Sequence, residues 1–318
     1  MRLLVTGGNG FVGRALCRLA SKRGYDTTAL VGKPSSLPVR EWVHAPRDFG
    51  NVGSEWPDDL SCDAVVHLAA RVHEMGGNER ALLERYRETN VAGSLRVARA
   101  AAERGCRRFV YVSSIKVMGE VDPGVPLDES MTPRPVDPYG ISKLEAEAAL
   151  RDLGLQTGME VVCLRPPLIY GPGVRANFLR LVDAVAKGVP LPLGAAHARR
   201  SMVFVDNFVD ALCVAAERDS IPSPVYHVTD GEDVSVRELV MDIGRCLDVS
   251  PRLVPIPAGW LTLAGRLLGR GEVVQRLVTS LQVNGALIRA ELGWSPPLPR
   301  VEGLRRTIDW YRTDPDRG

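Results

Sequence analysis

Long apolar segments are absent from this 318-residue sequence, and neither sign of charge predominates. No stretch reaches the roughly 20 apolar residues of a membrane-spanning helix, and no signal-peptide pattern is found. We therefore expect a cytoplasmic protein without a membrane partner. The 40 basic residues nearly balance the 38 acidic ones, so no overall electrostatic attraction favours nucleic acid as a partner.

Cysteine and lysine are both scarce. The six cysteines are scattered without a CxxC pair, and the five histidines form no HxH or HxxxH pair. In a chain of this length we expect free buried thiols rather than a disulfide framework, and no metal site. Only 5 of the 40 basic residues are lysines, so a lysine that stands inside a motif is informative.

Short apolar runs alternate with helical stretches through the first 170 residues. The runs cover 2–6, 26–31, 63–68, 109–113 and 160–165, and the helical stretches cover about 10–23, 79–104 and 139–153. Strands that lack polar alternation and alternate with helices predict an α/β fold, a Rossmann-type doubly wound parallel sheet. Proline and glycine become frequent after residue 170, which predicts a smaller C-terminal lobe at 171–318. Helix 205–218 and strand 225–228 are candidates to return to the main sheet.

Three glycines at intervals of three residues connect the first strand to the first helix. Gly7, Gly10 and Gly13 let the chain turn sharply, let a pyrophosphate approach the backbone, and present a helix N-terminus to it. With a strand before and a helix after, this pattern predicts dinucleotide binding by a domain of residues 1–170.

The position that usually selects between NAD and NADP has no acid. The second strand is followed by Lys33, which either faces the 2′-phosphate of NADP or is a solvated loop residue. Asp48 lies further on, at the expected end of a third strand, and is a candidate for the adenine edge.

Tyr139 and Lys143 lie four residues apart, on one face of a predicted helix. A neighbouring ammonium and a cationic nicotinamide would both favour the phenolate. Lowering the tyrosine pKa by about three units corresponds to about 4 kcal/mol. Ser114 follows the buried run 109–113, at the sheet edge where doubly wound folds bind ligands. Its hydroxyl can bond both a substrate hydroxyl and the Tyr139 phenol.

The sequence resembles the extended short-chain dehydrogenase/reductases, the NAD-dependent epimerase/dehydratase family, over nearly its whole length. The motifs that carry the resemblance are Gly7-x-x-Gly10-x-x-Gly13, His67-Leu68-Ala69-Ala70, Asn90-Val91-Ala92-Gly93, Ser113-Ser114, Tyr139-x-x-x-Lys143 and Arg165-Pro166. The resemblance implies that Tyr139 exchanges the proton of a sugar hydroxyl, that Lys143 holds the nicotinamide ribose, and that Ser114 orients the reacting oxygen. The register of the motif favours Ser114 over Ser113.

The resemblance also implies which residues bind the two ligands. Those expected at the cofactor, NAD or NADP, are Gly7, Gly10, Phe11, Val12, Gly13, Lys33, Asp48, Phe49, Leu68, Ala69, Ala70, Asn90, Tyr139, Lys143, Pro166 and Pro167. Those expected at a UDP-sugar are Ser114, Lys116, Asn177, Val189, Leu191 and Arg200. The Arg200 guanidinium suits a pyrophosphate, whereas Lys116 either meets a polar substrate group or is solvated.

Departures from the family patterns narrow the reaction. Ile115-Lys116 occupy the positions of the Asp-Glu pair that follows the catalytic residue in the family's dehydratases, which disfavours a 4,6-dehydratase. Arg165-Pro166-Pro167-Leu168 replaces the Arg-Tyr-Phe-Asn run of galactose epimerases. Together with the missing acid near Lys33, this replacement disfavours a standard UDP-galactose 4-epimerase.

The first hypothesis is an NAD(P)-dependent 4-keto-sugar reductase of the UDP-N-acetylquinovosamine type in surface-polysaccharide synthesis, with NADP slightly favoured. The alternative is a UDP-hexose 4-epimerase acting on glucose or N-acetylglucosamine. A third hypothesis, disfavoured by the intact catalytic set, is an idle NADP-binding regulator. The resemblance further implies a homodimer that pairs through the helices near 79–104 and 139–153.

Overall fold

Seven parallel strands form the central sheet among the residues that the computed structural model describes, which are 1–72, 78–257, 259–260 and 279–314. The strands are β1 (Arg2–Thr6), β2 (Asp26–Val31), β3 (Arg40–Val43), β4 (Ala64–His67), β5 (Arg108–Val112), β6 (Glu160–Arg165) and β10 (Val225–His227). Their order is β10-β6-β5-β4-β1-β2-β3. The order reverses at β1, which opens a crevice at the carboxyl ends of β1 and β4. The predicted doubly wound parallel sheet is confirmed.

Helices cover both faces of this sheet, and further helices pack on the C-terminal part of the chain. The described helices are α1 (Phe11–Lys22), α2 (Glu79–Tyr86), α3 (Ser94–Glu103), α4 (Pro138–Thr157), α5 (Ala176–Ala186), α6 (Val205–Glu217), α7 (Val236–Leu247), α8 (Ala286–Leu292) and α9 (Arg300–Thr313). Side chains alternate between the faces along β1. Leu3 and Val5 pack with the side of α1 and α6, and Leu4 packs with the side of α3 and α4.

The segment predicted as one helix at 79–104 is interrupted. A π-helical turn, Arg87–Gly93, separates α2 from α3. Such turns insert an extra residue into a helix and are frequent at functional sites. Here the turn contains Asn90, whose side chain is fully buried, so the interruption falls on a residue expected at the cofactor.

The third strand lies earlier than predicted. β3 ends at Val43, and Asp48 lies in a turn rather than at a strand end. The backbone oxygen and the carboxylate of Asp48 both accept hydrogen bonds from Arg96 on α3. Phe49 has a φ of +57° and is buried, stacked on the ring of His44. Tertiary contacts therefore hold a turn that the local sequence pattern does not indicate.

Short strands that follow β6 in the sequence form two small sheets of their own. β7 (Leu168–Tyr170) pairs in parallel with β9 (Met202–Phe204), and β8 (Arg199–Arg200) pairs antiparallel with β11 (Val234–Ser235). The chain then returns, because α6 packs against α1 and β10 pairs with β6. The C-terminal part of the chain thus contributes both to the main sheet and to the two small sheets.

The cysteine prediction is confirmed. All six cysteines lie within the described residues and are free thiols, and only Cys246 is partly exposed. Among the helices of the described residues, none is long and apolar enough to cross a membrane.

Candidate active site

The turn from β1 into α1 has no room for a side chain at Gly7 or Gly13. A Cβ on Gly13 would lie 2.2 Å from the Gly7 carbonyl oxygen, and one on Gly7, where φ is +68°, would lie 3.0 Å from the Ala69 nitrogen. The Gly10 N–H donates to the Gly7 oxygen at 2.9 Å. No side chain of the described residues caps the N-terminus of α1. The first N–H groups of α1 are therefore left for an anion, which fits the pyrophosphate of a dinucleotide.

The segment after β4 forms the opposite wall of the crevice. The Ala69 N–H donates to the Thr6 hydroxyl at 3.2 Å, and the same hydroxyl bonds His67 Nδ1 at 2.9 Å. His67 Nε2 in turn bonds the Ser94 hydroxyl of α3 at 3.0 Å. The wall and the first turn of α1 keep partly exposed side chains beside the crevice, namely those of Phe11, Val12, Leu68, Ala69 and Ala70.

Asn90 joins this wall to α4. Its Oδ1 accepts the Arg71 N–H at 2.8 Å, and its Nδ2 donates to the Ser142 hydroxyl at 3.0 Å. Ser142 lies between Tyr139 and Lys143 along α4. The buried amide therefore fixes the wall of the crevice relative to the helix that carries both residues.

The carboxyl end of β2 forms the far end of the crevice. Lys33 is exposed two residues beyond this strand. The loop that follows is held by Glu41 of β3, whose carboxylate accepts the Ser35 N–H at 2.9 Å and the Leu37 N–H at 2.7 Å. Lys33 thus lies directly after β2, and its contact with the cofactor remains a prediction.

Ser114 and Tyr139 come together from different elements. Ser114 follows β5 and begins a 3-10 turn, Ile115–Val117, whose first N–H donates to the Pro166 oxygen at 3.0 Å. Tyr139 lies in the first turn of α4. The Ser114 side chain lies close enough to Tyr139 to lower the pKa of its phenol. Pro166 and Pro167 are both placed directly after β6, so the ends of β5 and β6 support the serine.

Burial controls the protonation of Tyr139 and Lys143. It raises the pKa of Tyr139 above the ordinary value, an effect to which the Asp137 charge adds and which the Ser114 hydrogen bond opposes. Burial lowers the pKa of Lys143 to about 7. The predicted low pKa of Tyr139 therefore does not hold for the protein by itself, because burial outweighs the other effects on the phenol. The Lys143 ammonium lies over the ring of Tyr111. Further positive charge, such as an oxidised nicotinamide ring carries, is needed to favour the phenolate.

Lys116 is engaged by the protein rather than by solvent. Its ammonium pairs with the carboxylate of Asp137 and lies 3.0 Å from that of Glu120. These carboxylates raise its pKa against the opposing effect of burial, which is the largest single contribution. The side chain is 30% exposed, so the ion pairs are partly shielded from water.

The residues expected at the nucleotide lie on three separate segments. Asn177 is exposed in the first turn of α5, and Val189 is exposed in the loop that follows that helix. Leu191 bridges to Leu253, and Arg200 ends β8. Their roles toward a nucleotide remain predictions.

Three features of the site were not predicted from the sequence. Asp137 caps α4 by accepting an N–H of its first turn, Tyr111 lies beneath Lys143, and Arg165 pairs with Glu147 in the interior. The first could have been found, because Asp at the cap and Pro138 at the first helical position are a recognised helix start. The other two are tertiary contacts without a local signal.

The model of the NAD dependent epimerase/dehydratase family matches residues 3–228. The chain belongs to this family. The resemblance deduced from the motifs is thus confirmed, and the protein is an enzyme that uses NAD or NADP. The glycine turn and the uncapped N-terminus of α1 fit such a cofactor.

Similar proteins include both epimerases and reductases of the family. The chain is 38% identical over 315 residues to a UDP-glucose 4-epimerase of Vibrio cholerae, with 97% of this chain and 95% of that protein covered. It is 28% identical to a GDP-6-deoxy-D-mannose reductase of Pseudomonas aeruginosa, with 97% of each covered. The crystal structure of a Thermus thermophilus UDP-glucose 4-epimerase in complex with NAD matches with a TM-score of 0.78 at 26% identity, over 98% of this chain and 99% of that one.

Proposed function

We propose that the protein transfers hydride at C4 of a UDP-sugar and acts as a UDP-hexose 4-epimerase. The observation that carries the proposal is that the turn beginning at Ser114 packs against the first turn of α4, which holds Tyr139, beside the dinucleotide crevice. The sequence alone ranks a reductase first. The end-to-end similarity to a UDP-glucose 4-epimerase supports the epimerase instead.

Proton transfer is the task of this chain's own residues, whereas a bound nicotinamide would supply the hydride chemistry. Tyr139 accepts the proton of the C4 hydroxyl as the C4 hydrogen leaves as hydride, which gives a 4-ketone. Ser114 donates a hydrogen bond to the reacting oxygen. The sugar then rotates, and Tyr139 returns the proton when hydride adds to the other face. Lys143, when protonated, stabilises the Tyr139 phenolate.

A 4-keto-sugar reductase is the second candidate. The Lys33 ammonium after β2 favours it, because a 2′-phosphate there would select NADPH, the usual donor in reductive biosynthesis. In this case Tyr139 gives its proton to the ketone oxygen once per NADPH consumed, and the hydride is not recovered. The UDP-N-acetylquinovosamine type remains the substrate hypothesis for this route.

Cofactor stoichiometry separates the two candidates. The purified protein is incubated with UDP-glucose, UDP-N-acetylglucosamine or a UDP-4-keto-6-deoxy sugar, while products and nicotinamide absorbance are followed. An epimerase converts the first or second sugar without net NADH or NADPH change. A reductase consumes one NAD(P)H per 4-keto sugar. Tyr139→Phe should abolish either reaction, and conversion that persists in this variant would remove the tyrosine from the mechanism.

We also propose a homodimer that pairs through α2, α3 and α4. The family resemblance supports this pairing, and Leu155 of α4, which is 82% exposed, offers a position at which to test it. Light scattering should give the mass of a dimer for the wild type and of a monomer for Leu155→Lys.

A further inference from the structure

The segments that carry Ser114 and Tyr139 touch through their backbones. Ser114 begins the turn Ile115–Val117, and its Oγ accepts the Lys116 N–H at 3.3 Å. A Cβ on Gly140 would lie 2.7 Å from the Lys116 carbonyl oxygen, closer than real Cβ atoms approach. The turn therefore packs against the first turn of α4 at a distance that only glycine allows.

One carboxylate binds both segments. Asp137 pairs through Oδ2 with the Lys116 ammonium, and its Oδ1 accepts the Gly140 N–H at 2.6 Å. Glu120 Oε1 lies 3.0 Å from the same ammonium. Because the Lys116 and Asp137 side chains are only 30% and 28% exposed, their charges are less screened than those of surface ion pairs.

We propose that Lys116 and Asp137 are positioning residues for the C4 reaction, whose ion pair fixes Ser114 against Tyr139 and balances the charge beside the tyrosine. This inference rests on the proposed function. It differs from the sequence expectation for Lys116, which was a contact with substrate or solvent.

Several groups face Tyr139 from the surrounding elements. They are Asp137 before α4, Tyr86 of α2, Tyr111 of β5 and Ser114. Lys143 follows one turn later on α4, and Lys116 reaches Asp137 together with Glu120. The negative charge of Asp137 disfavours the Tyr139 phenolate, and the Lys116 ammonium forms an ion pair with the Asp137 carboxylate. Removing the lysine charge should therefore raise the pKa of Tyr139, and removing the aspartate charge should lower it.

The test compares Lys116→Met with Asp137→Asn, in which asparagine retains the helix cap. The pH profile of kcat is measured for oxidation of the C4 hydroxyl, which requires the phenolate. We expect the acid limb to move up by about half a pH unit or more in Lys116→Met and down by a similar amount in Asp137→Asn. Lys116→Met should also lose about tenfold in kcat with KM nearly unchanged, and Lys116→Arg should recover most of it.

Matched controls remove the same charges elsewhere. Lys22→Met lies at the exposed end of α1, and Asp58→Asn lies on an exposed turn; both should keep the wild-type profile. The double variant of Lys116→Met with Asp137→Asn should bring the acid limb back toward wild type, since both charges are gone. If the two residues had only a structural role, the acid limb would not shift in opposite directions in the single variants, and the double variant would not restore its wild-type position.

A direct titration separates this inference from the proposed function. The tyrosinate absorbance of the NAD-saturated protein is followed against pH, with Tyr139→Phe subtracted, so no sugar is needed. Opposite shifts in the two charge variants support the inference even if the enzyme turns over none of the sugars. Shifts of the same sign, or none, overturn it. A tenfold rise in KM for Lys116→Met with an unmoved acid limb also overturns it and assigns Lys116 to the substrate.

Discussion

The Lys143 ammonium lies over the ring of Tyr111, 4.0 Å from the ring centre. Tyr111 belongs to β5 and Lys143 to α4, and both side chains are almost fully buried. The aromatic face offsets part of the cost of burying the ammonium. The offset is incomplete, because burial still lowers the pKa of Lys143 to about 7. The lysine is thus held in place by the sheet, at a cost to folding.

Lys143→Met should stabilise the cofactor-free protein at pH 7 while it abolishes activity. Between pH 7 and 10.5 the unfolded chain holds a proton on this lysine that the folded chain has largely lost, so wild-type stability rises with pH across that window. At pH 7 the burial of Lys143 lowers the free energy of unfolding of the wild type by at most about 5 kcal/mol. Melting temperatures measured from about pH 7 to about pH 9.5 should show the gap between variant and wild type narrowing. A gap that is constant with pH would contradict this view.

Gly13→Ala should weaken cofactor binding by at least tenfold and destabilise the fold by about 1–3 kcal/mol. The added Cβ would lie 2.2 Å from the Gly7 oxygen, so α1 must move away from the turn that receives the pyrophosphate. Titration calorimetry with NAD and NADP measures the first effect, and urea denaturation measures the second. Gly53→Ala is the matched control, because its nearest neighbour would be 3.8 Å away. Equal cofactor affinity in Gly13→Ala and wild type would show that the turn does not receive the dinucleotide.

The sheet was predictable because parallel strands bury both faces and leave continuous apolar runs in the sequence. Strand ends could be placed within a residue or two, as at β4 and β5. The turn at Asp48 and the interruption at Asn90 could not, because each depends on contacts with a distant helix. The local pattern of apolar residues does not indicate such contacts.

For the site, the motifs indicate which side chains meet but not their electrostatic state. Tyr139 and Lys143 share a helix face in the sequence pattern. The structure shows that burial raises the pKa of Tyr139 and lowers that of Lys143, so the neutral form of each side chain is favoured. From the sequence, Lys116 is indistinguishable from a solvated loop lysine. The structure shows that it forms ion pairs with Asp137 and Glu120. Charge partners that are remote in sequence decide these properties.

Lys33→Asp should move cofactor preference from NADP toward NAD. An ammonium at the end of β2 favours a 2′-phosphate, and a carboxylate there repels it and can bond the ribose hydroxyls. We expect the Kd of NADPH to rise at least tenfold while that of NADH stays the same or falls. Lys22→Asp, at the exposed end of α1, should change neither. If both cofactors respond equally to Lys33→Asp, the lysine acts by general charge and does not select the cofactor.

Glu147→Leu should be strongly destabilising, whereas the double variant with Arg165→Met should recover most of the loss. Both side chains of this pair are at most 5% exposed, and Arg165 also donates to Met118 Sδ at 3.1 Å. Removing the carboxylate alone leaves a buried guanidinium uncompensated, which costs about 3–5 kcal/mol, whereas replacing both partners by apolar groups is often neutral. Urea denaturation of the two variants measures the difference, and Glu302→Gln, on an ion pair at the surface, should stay near wild type. A double variant as unstable as the single one would mean that packing around α4, not the uncompensated charge, causes the loss.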